Sequence, residues 1–214
     1  MGNYPNVRRD AESDRTFVET RSAERLLRTM SAHDPPLTAH GEAVAHLMNQ
    51  VAPAAPLDHA ELGDATLVAL LHDVGKVRVP RALLRSRGPL DRPGWALMRR
   101  HAEWGAQLVA AQPGLKRLAP MIRHHHEHVD GSGYPAGLAG DEIPLISRLT
   151  GVCDAYCAMV GPRPYSASLS HSEAMDQLWA AATTQFDTEI VEMTADVVGD
   201  LNLAPMLARV AALA

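Results

Sequence analysis

Apolar residues recur along this chain at helical intervals, and that periodicity predicts its elements. Val44, Leu47, Met48 and Val51 follow an i, i+3, i+4, i+7 spacing. They predict a helix from about Thr38 to Val51, after Pro35 and Pro36 break the chain. An earlier helix is expected over about 17–31, behind a polar, charged stretch, residues 1–16, that reads as a flexible tail. Leu67, Leu70, Leu71 and Val74 mark the apolar side of a third helix. A capping box of Asp58 and Glu61 opens it, His72 and Asp73 close it, and Gly75 fits its C-terminal end. Asp91 caps a fourth, with Pro93 near its first turn and His101 along it. Further helices are expected over about 115–126, 145–160 and 171–183, the last boxed by Ser170 and Glu173. Residues 129–145 (VDGSGYPAGLAGDEIPL) are glycine-rich and hold Pro135 and Pro144, so they form an ordered loop. No alternating stretch of useful length suggests a strand. The fold class is all-α, with residues 17–214 as a single domain.

Composition narrows the partners. Aromatic residues are only 4% of the chain, so Ala, Leu, Val and Met must fill the core. The net charge is -5 and no Lys/Arg run appears, which excludes a nucleic-acid polymer as ligand. Cys153 and Cys157 lie four apart in a predicted helix, a poor disulfide framework that suits a reducing compartment. No apolar stretch reaches membrane-spanning length and the polar N-terminus is no signal peptide, so the chain reads as cytoplasmic, with no membrane contact.

The chemistry lies in the histidines and aspartates. His40 stands alone, then come His72-Asp73 in LLHDVGK, His101 in RRHAEWG, the run His124-His125-His126-Glu127, and Asp154 in GVCDAY. Those ligands suffice for two metal ions, which together activate water and clamp a phosphate. Adjacent helical residues point about 100° apart, so His72 can bind one ion while the two oxygens of Asp73 bridge a pair. The other ligands come from separate helices and converge only in the core of a bundle. Imidazole and carboxylate without thiolate suit Fe, Mn or Zn better than Mg or Ca. Three consecutive histidines cannot all face one point, and His124 is the weakest of its run. Lys76 and Arg163 are candidate cations for phosphate charge.

These segments together resemble the HD-GYP family, a branch of the HD phosphohydrolases. The resemblance runs through LLHDVGKVRVP, GPLDRPGWALMRRHAEWGAQLV, IRHHHEHVDGSGYPAGLAGDEIPLISRLTGVCDAY, RPYSASLS and TTQFDTEIV, about residues 34–195. It implies an all-helical HD bundle that hydrolyses the bacterial messenger cyclic di-GMP to pGpG, GMP or both, or acts on cyclic GMP-AMP. It implies metal ligands at His40, His72, Asp73, His101, His125, His126 and Asp154, with Asp73 bridging two divalent ions, Fe or Mn. A metal-bridging hydroxide is the implied nucleophile. Lys76, Arg163, Tyr134 and Tyr156 are the implied substrate contacts, with Gly133-Tyr134-Pro135 as the name-giving loop. The implied partners are a cyclic dinucleotide, a diguanylate cyclase or sensor protein, and a second copy in a homodimer.

Three positions depart from the family pattern. The three-metal members carry a glutamate four residues before the first histidine. Here that residue is Pro36, which implies a two-metal site. Cys157 stands in place of the second aspartate of the usual V-x-D-x-Y-D-A-L helix, and Ser166 in place of a basic residue. These changes thin the substrate-binding set and keep two alternatives open: a weakly catalytic module that binds a cyclic dinucleotide or a diguanylate cyclase, and an HD hydrolase for another phosphoester.

Overall fold

The computed structural model describes residues 7–86, 88–161 and 168–199. Ten α-helices fall among them: α1 (Val7–His33), α2 (Pro35–Val51), α3 (His59–Leu71), α4 (Arg81–Leu84), α5 (Arg92–Arg99), α6 (His101–Ala110), α7 (Ala119–Arg123), α8 (Leu145–Val160), α9 (His171–Ala180) and α10 (Thr188–Val198). Among the described residues there are only isolated β-bridges and no strand, as an all-α fold requires. Among the described residues no helix is long and apolar enough to cross a membrane.

The capping signals act as the sequence predicts. The Asp58 and Glu61 box starts α3, Ser170 and Glu173 start α9, and the Asp91 carboxylate accepts from the Gly94 amide at the head of α5. Residues 7–16, expected in a tail, instead continue α1 on the backbone. No glycine or proline interrupts Val7–His33, and its Arg, Glu and Ala residues favour helix. The two prolines expected to break the chain instead open α2, since the first turn of a helix has amides that need no partner. Only Asp34, in an extended conformation, separates α1 from α2.

Met30, Val44, Leu47, Met48, Val51, Val68 and Leu71 are wholly buried, and they pack α1, α2 and α3 into one core. The buried side of α8 adds Leu149, Val152 and Cys153 to it. The crossing of α2 and α3 is close, because a Cβ at Gly41 would lie 2.6 Å from the Leu70 carbonyl oxygen. An Arg117 guanidinium ties α1 to α3, bonding Glu19 at 2.9 Å and Asp64 at 2.7 Å. The bundle thus brings the end of α3, the start of α2 and the middle of α8 to one place.

Candidate metal centre

Three histidines stand just past the last turn of a helix, where backbone carbonyls lack amide partners. His72 follows α3, His101 follows α5 after the single residue Arg100, and His125 follows α7. Each Nδ1 lies at bonding distance from the carbonyl three residues back: His72 to Ala69 at 2.8 Å, His101 to Met98 at 2.7 Å, His125 to Ile122 at 2.6 Å. A carbonyl only accepts, so each Nδ1 donates and each Nε2 is left, turned inward, as the atom that could ligate a metal. The helix expected through His101 therefore breaks at Arg100, with the imidazole on the Met98 carbonyl. The histidine run expected at the end of a helix lies in the turn beyond α7.

The inward atoms form two clusters. His40, His72 and Asp73 offer ligand atoms within 4.8 Å of one another, and so do His101, His125 and His126. Asp73 lies between them. Its Oδ2 is 3.5 Å from His72 Nε2 and its Oδ1 is 3.5 Å from His101 Nε2. Asp154, from α8, closes the first cluster, with Oδ1 2.7 Å from His40 Nε2 and 3.7 Å from His72 Nε2. His72 Nε2 and Asp73 Oδ1 are buried without a hydrogen-bond partner, although burying such atoms unpaired is costly. A divalent ion at each cluster would satisfy both, so the donor set fits metals of the imidazole–carboxylate type.

Charge at the centre is divided. Burial pushes the His72 imidazole down, but the negative charges of Asp73 and Asp154 more than offset this and raise it to about 9. Burial lowers His101 to about 4 and His126 to about 3, and it holds His125 well below its ordinary value, with His126 beside it. Against its own burial, the Asp73 carboxyl is held well below the carboxylate range by Lys76 and His72. A raised His72 stabilises the metal-free fold fully below pH 6.5, and this is lost as pH rises through about 9. The depressed His101 and His126 stabilise it above pH 6.5, and this is lost as pH falls towards about 4 and about 3. Chelated protein should therefore melt at its highest temperature near pH 6.5 and lose stability on both sides. Metal should remove the alkaline loss, because a liganded His72 is neutral in any case. Melting curves from about pH 5 to about pH 9 with chelator and with Mn(II) check this. Parallel curves would mean that His72 does not meet the ion.

The other expected site residues are distributed unevenly. Lys76 Nζ sits 2.6 Å from Asp73 Oδ2, at the rim of the centre. Tyr134 stacks on His126, with centroids 4.9 Å apart, and the Arg99 guanidinium lies 5.0 Å from the Tyr134 centroid. Tyr156 is turned away: two residues after Asp154 on α8, it points about 200° round the helix. Its ring is buried in the core and its hydroxyl meets His171 Nδ1 at 3.0 Å, so the structure does not bring it together with the clusters. Cys157 is also buried in that core. Arg163 and Ser166 lie outside the described residues. His124 stays out of both clusters and faces Glu127 at 3.3 Å.

Gly75 also plays another part than the one expected. It ends no helix with a left-handed backbone; it sits in a 3-10 turn, Val74–Arg78, pressed against the start of α6. Sequence reasoning missed Glu127. Its buried carboxylate accepts from the amides of Ala136, Gly137 and Leu138 at 2.7, 2.9 and 3.1 Å, and the Tyr134 amide donates to the His126 carbonyl. One carboxylate thereby folds the Gly133-Tyr134-Pro135 loop back onto the histidines. Gly133 completes the fit, since a Cβ there would strike the backbone of Glu127 and His128. The available signal was an acidic residue directly after a ligand run and before a glycine-rich loop.

The profile of the HD domain family matches residues 24–190. The chain is 36% identical over 161 residues to the cyclic di-GMP phosphodiesterase PA4108 of Pseudomonas aeruginosa, covering 75% of this chain and 39% of that protein. It is 33% identical over 180 residues to the cyclic di-GMP phosphodiesterase response regulator RpfG of Xanthomonas campestris pv. campestris, covering 82% and 48%. It is 30% identical over 187 residues to the 3'3'-cGAMP-specific phosphodiesterase 2 of Vibrio cholerae, covering 86% and 34%. The chain thus spans less than half the length of these relatives. Among solved structures, Bd1817, an HDG"Y"P protein from Bdellovibrio bacteriovorus, superposes with a TM-score of 0.64 at 22% identity, covering 76% of this chain and 52% of that one. That likeness carries the fold.

Proposed function

This chain belongs to the HD domain family, and from that premise we propose that it is a cytoplasmic phosphodiesterase that hydrolyses cyclic di-GMP to pGpG, GMP or both. The observation that carries the reading is the position of Asp73, with one oxygen facing each of two histidine clusters. We assign one ion to His40, His72, Asp73 and Asp154, and the other to Asp73, His101, His125 and His126, with Fe or Mn as the metals that suit the donors. Such a pair, when bound, supplies activated water and offsets charge on a bound phosphate.

The chain's own residues do the rest. The three Nδ1–carbonyl bonds fix the imidazoles before any ligand arrives, so little reorganisation accompanies binding. Burial lowers the Lys76 ammonium, but Asp73 and Asp154 raise it above its ordinary value, so it stays charged beside the site. There it neutralises charge that develops on a phosphoryl oxygen. Tyr134, braced by His126 and Arg99, walls one side. Burial raises its hydroxyl, with the Asp73 charge adding to the shift, so it stays protonated and able to donate.

Relatives named for 3'3'-cGAMP make that dinucleotide the second substrate to try. Anaerobically purified protein loaded with Fe(II) or Mn(II) should convert cyclic di-GMP to pGpG or GMP, read by chromatography, and a chelator should stop it. Absence of product from both dinucleotides at full metal occupancy would sink the proposal in favour of a binding module.

A further inference from the structure

Beside the clusters lies a cavity of about 240 Å³ that the chemistry above does not use. Arg148, Gly151, Asp154 and Ala155, one stripe of α8, form its long wall, with Gln185 and Asp187 opposite and His126 at the metal end. Arg148 and Asp154 are six residues apart, which is about 9 Å along a helix axis. The far end of the cavity is therefore one nucleotide's reach from the clusters. Pockets for whole drug-sized ligands run from about 300 to 1,000 Å³, so this one suits a single base better than a dinucleotide.

Its polar groups have a definite pattern. Arg148 Nη1 bonds Asp187 Oδ2 at 2.7 Å and reaches Asp141 at 3.2 Å, yet Arg148 Nε is buried with no partner. The Asp187 carboxylate takes the Glu189 amide on its other oxygen and has lone pairs left for a ligand. Gln185 brings an exposed amide to the rim, and Phe186 and Val129 supply apolar sides.

We infer that this cavity holds one guanine base of the substrate. Arg148 and the Gln185 amide donate to the O6 and N7 edge, and Asp187 accepts from N1–H and the exocyclic amine. Adenine reverses that pattern, because its unprotonated N1 would face the Asp187 carboxylate. The assignment rests on the phosphodiesterase reading and names the subsite by which the substrate is recognised.

The test uses the metal-loaded chain, with KM for cyclic di-GMP from initial rates and Kd for GMP and AMP from calorimetry. Wild type should prefer GMP to AMP by about tenfold or more. Ala155→Leu, which fills the cavity from α8, should raise KM and the GMP Kd by about tenfold with a smaller change in kcat. Gln185→Ala, at an exposed position, should raise both by about threefold and decides the matter if Ala155→Leu does not fold. Constants within twofold of wild type in a folded Ala155→Leu, or in Gln185→Ala where that variant decides, would overturn the inference (about twofold is the resolution of the assay). Guanine-selective binding without any turnover would instead remove the phosphodiesterase reading and leave the base subsite standing.

Discussion

Asp73→Ala should abolish both metal binding and hydrolysis. Each of its oxygens lies 3.5 Å from a histidine of a different cluster, so on the proposed assignment its loss would remove a ligand from each. Groups that merely support a metal ligand are already worth about 10–100-fold in affinity or activity, so loss of a shared ligand should cost more than about a thousandfold in rate. The change also leaves Lys76, which lies 2.6 Å from Asp73 Oδ2, without its nearest counter-charge, and it removes the main support for a raised His72. Because Lys76 reaches the rim, it can turn to water, and the fold should survive. Asp73→Asn provides the control: it keeps the shape and one oxygen but loses the charge, and should retain at most a fraction of the metal. Elemental analysis of metal content alongside initial rates separates the cases. Two retained metals in Asp73→Ala would show that the clusters do not share this residue.

Much of this candidate centre was legible in the sequence because its histidines and aspartates are ordered along the chain and the fold brings them together. What was not legible follows from where helices stop. Periodicity placed His101 within a helix, but the imidazole bonds the Met98 carbonyl and a new helix begins at His101. The same arrangement recurs at His72 and His125, so three candidate ligands are set by the ends of helices and not by their faces. Tyr156 shows the opposite limit: near a ligand in sequence, it sits on the far side of α8. Glu127 received no role from the sequence because its partners are backbone amides nine to eleven residues onward, which carry no side-chain signature. Arg148 and Asp187 come together only through the packing of α8 against α10, a contact between positions 39 residues apart.

Gly75→Ala should cost the fold several kcal/mol, because among the glycines at helix crossings of the described residues it has the closest backbone neighbours. The turn Val74–Arg78 carries Lys76 and lies directly on the start of α6. An added Cβ would fall onto the His101 carbonyl oxygen and within 2.5 Å of the Gly105 amide nitrogen. Both are backbone atoms, which cannot swing aside as a side chain can. Overpacking typically costs about 1–3 kcal/mol, and a backbone-to-backbone collision belongs at or above the top of that range. Relief requires the turn and α6 to part. That motion separates Asp73, one residue before the turn, from His101, whose Nε2 lies 3.5 Å from Asp73 Oδ1. Gly105→Ala is the natural comparison: its Cβ would meet the Ile122 Cγ2 methyl at 3.1 Å, a side chain that can give by a few tenths of an ångström, and the Gly75 amide nitrogen at 3.3 Å, a far milder approach than the collision at Gly75. Gly75→Ala should therefore lose about 3 kcal/mol or more, together with metal, whereas Gly105→Ala should lose about 1 kcal/mol and keep it. Urea unfolding with metal analysis distinguishes the two. Equal stability losses would mean that the turn yields freely and that the spacing between Asp73 and His101 is set by the metals, not by the chain.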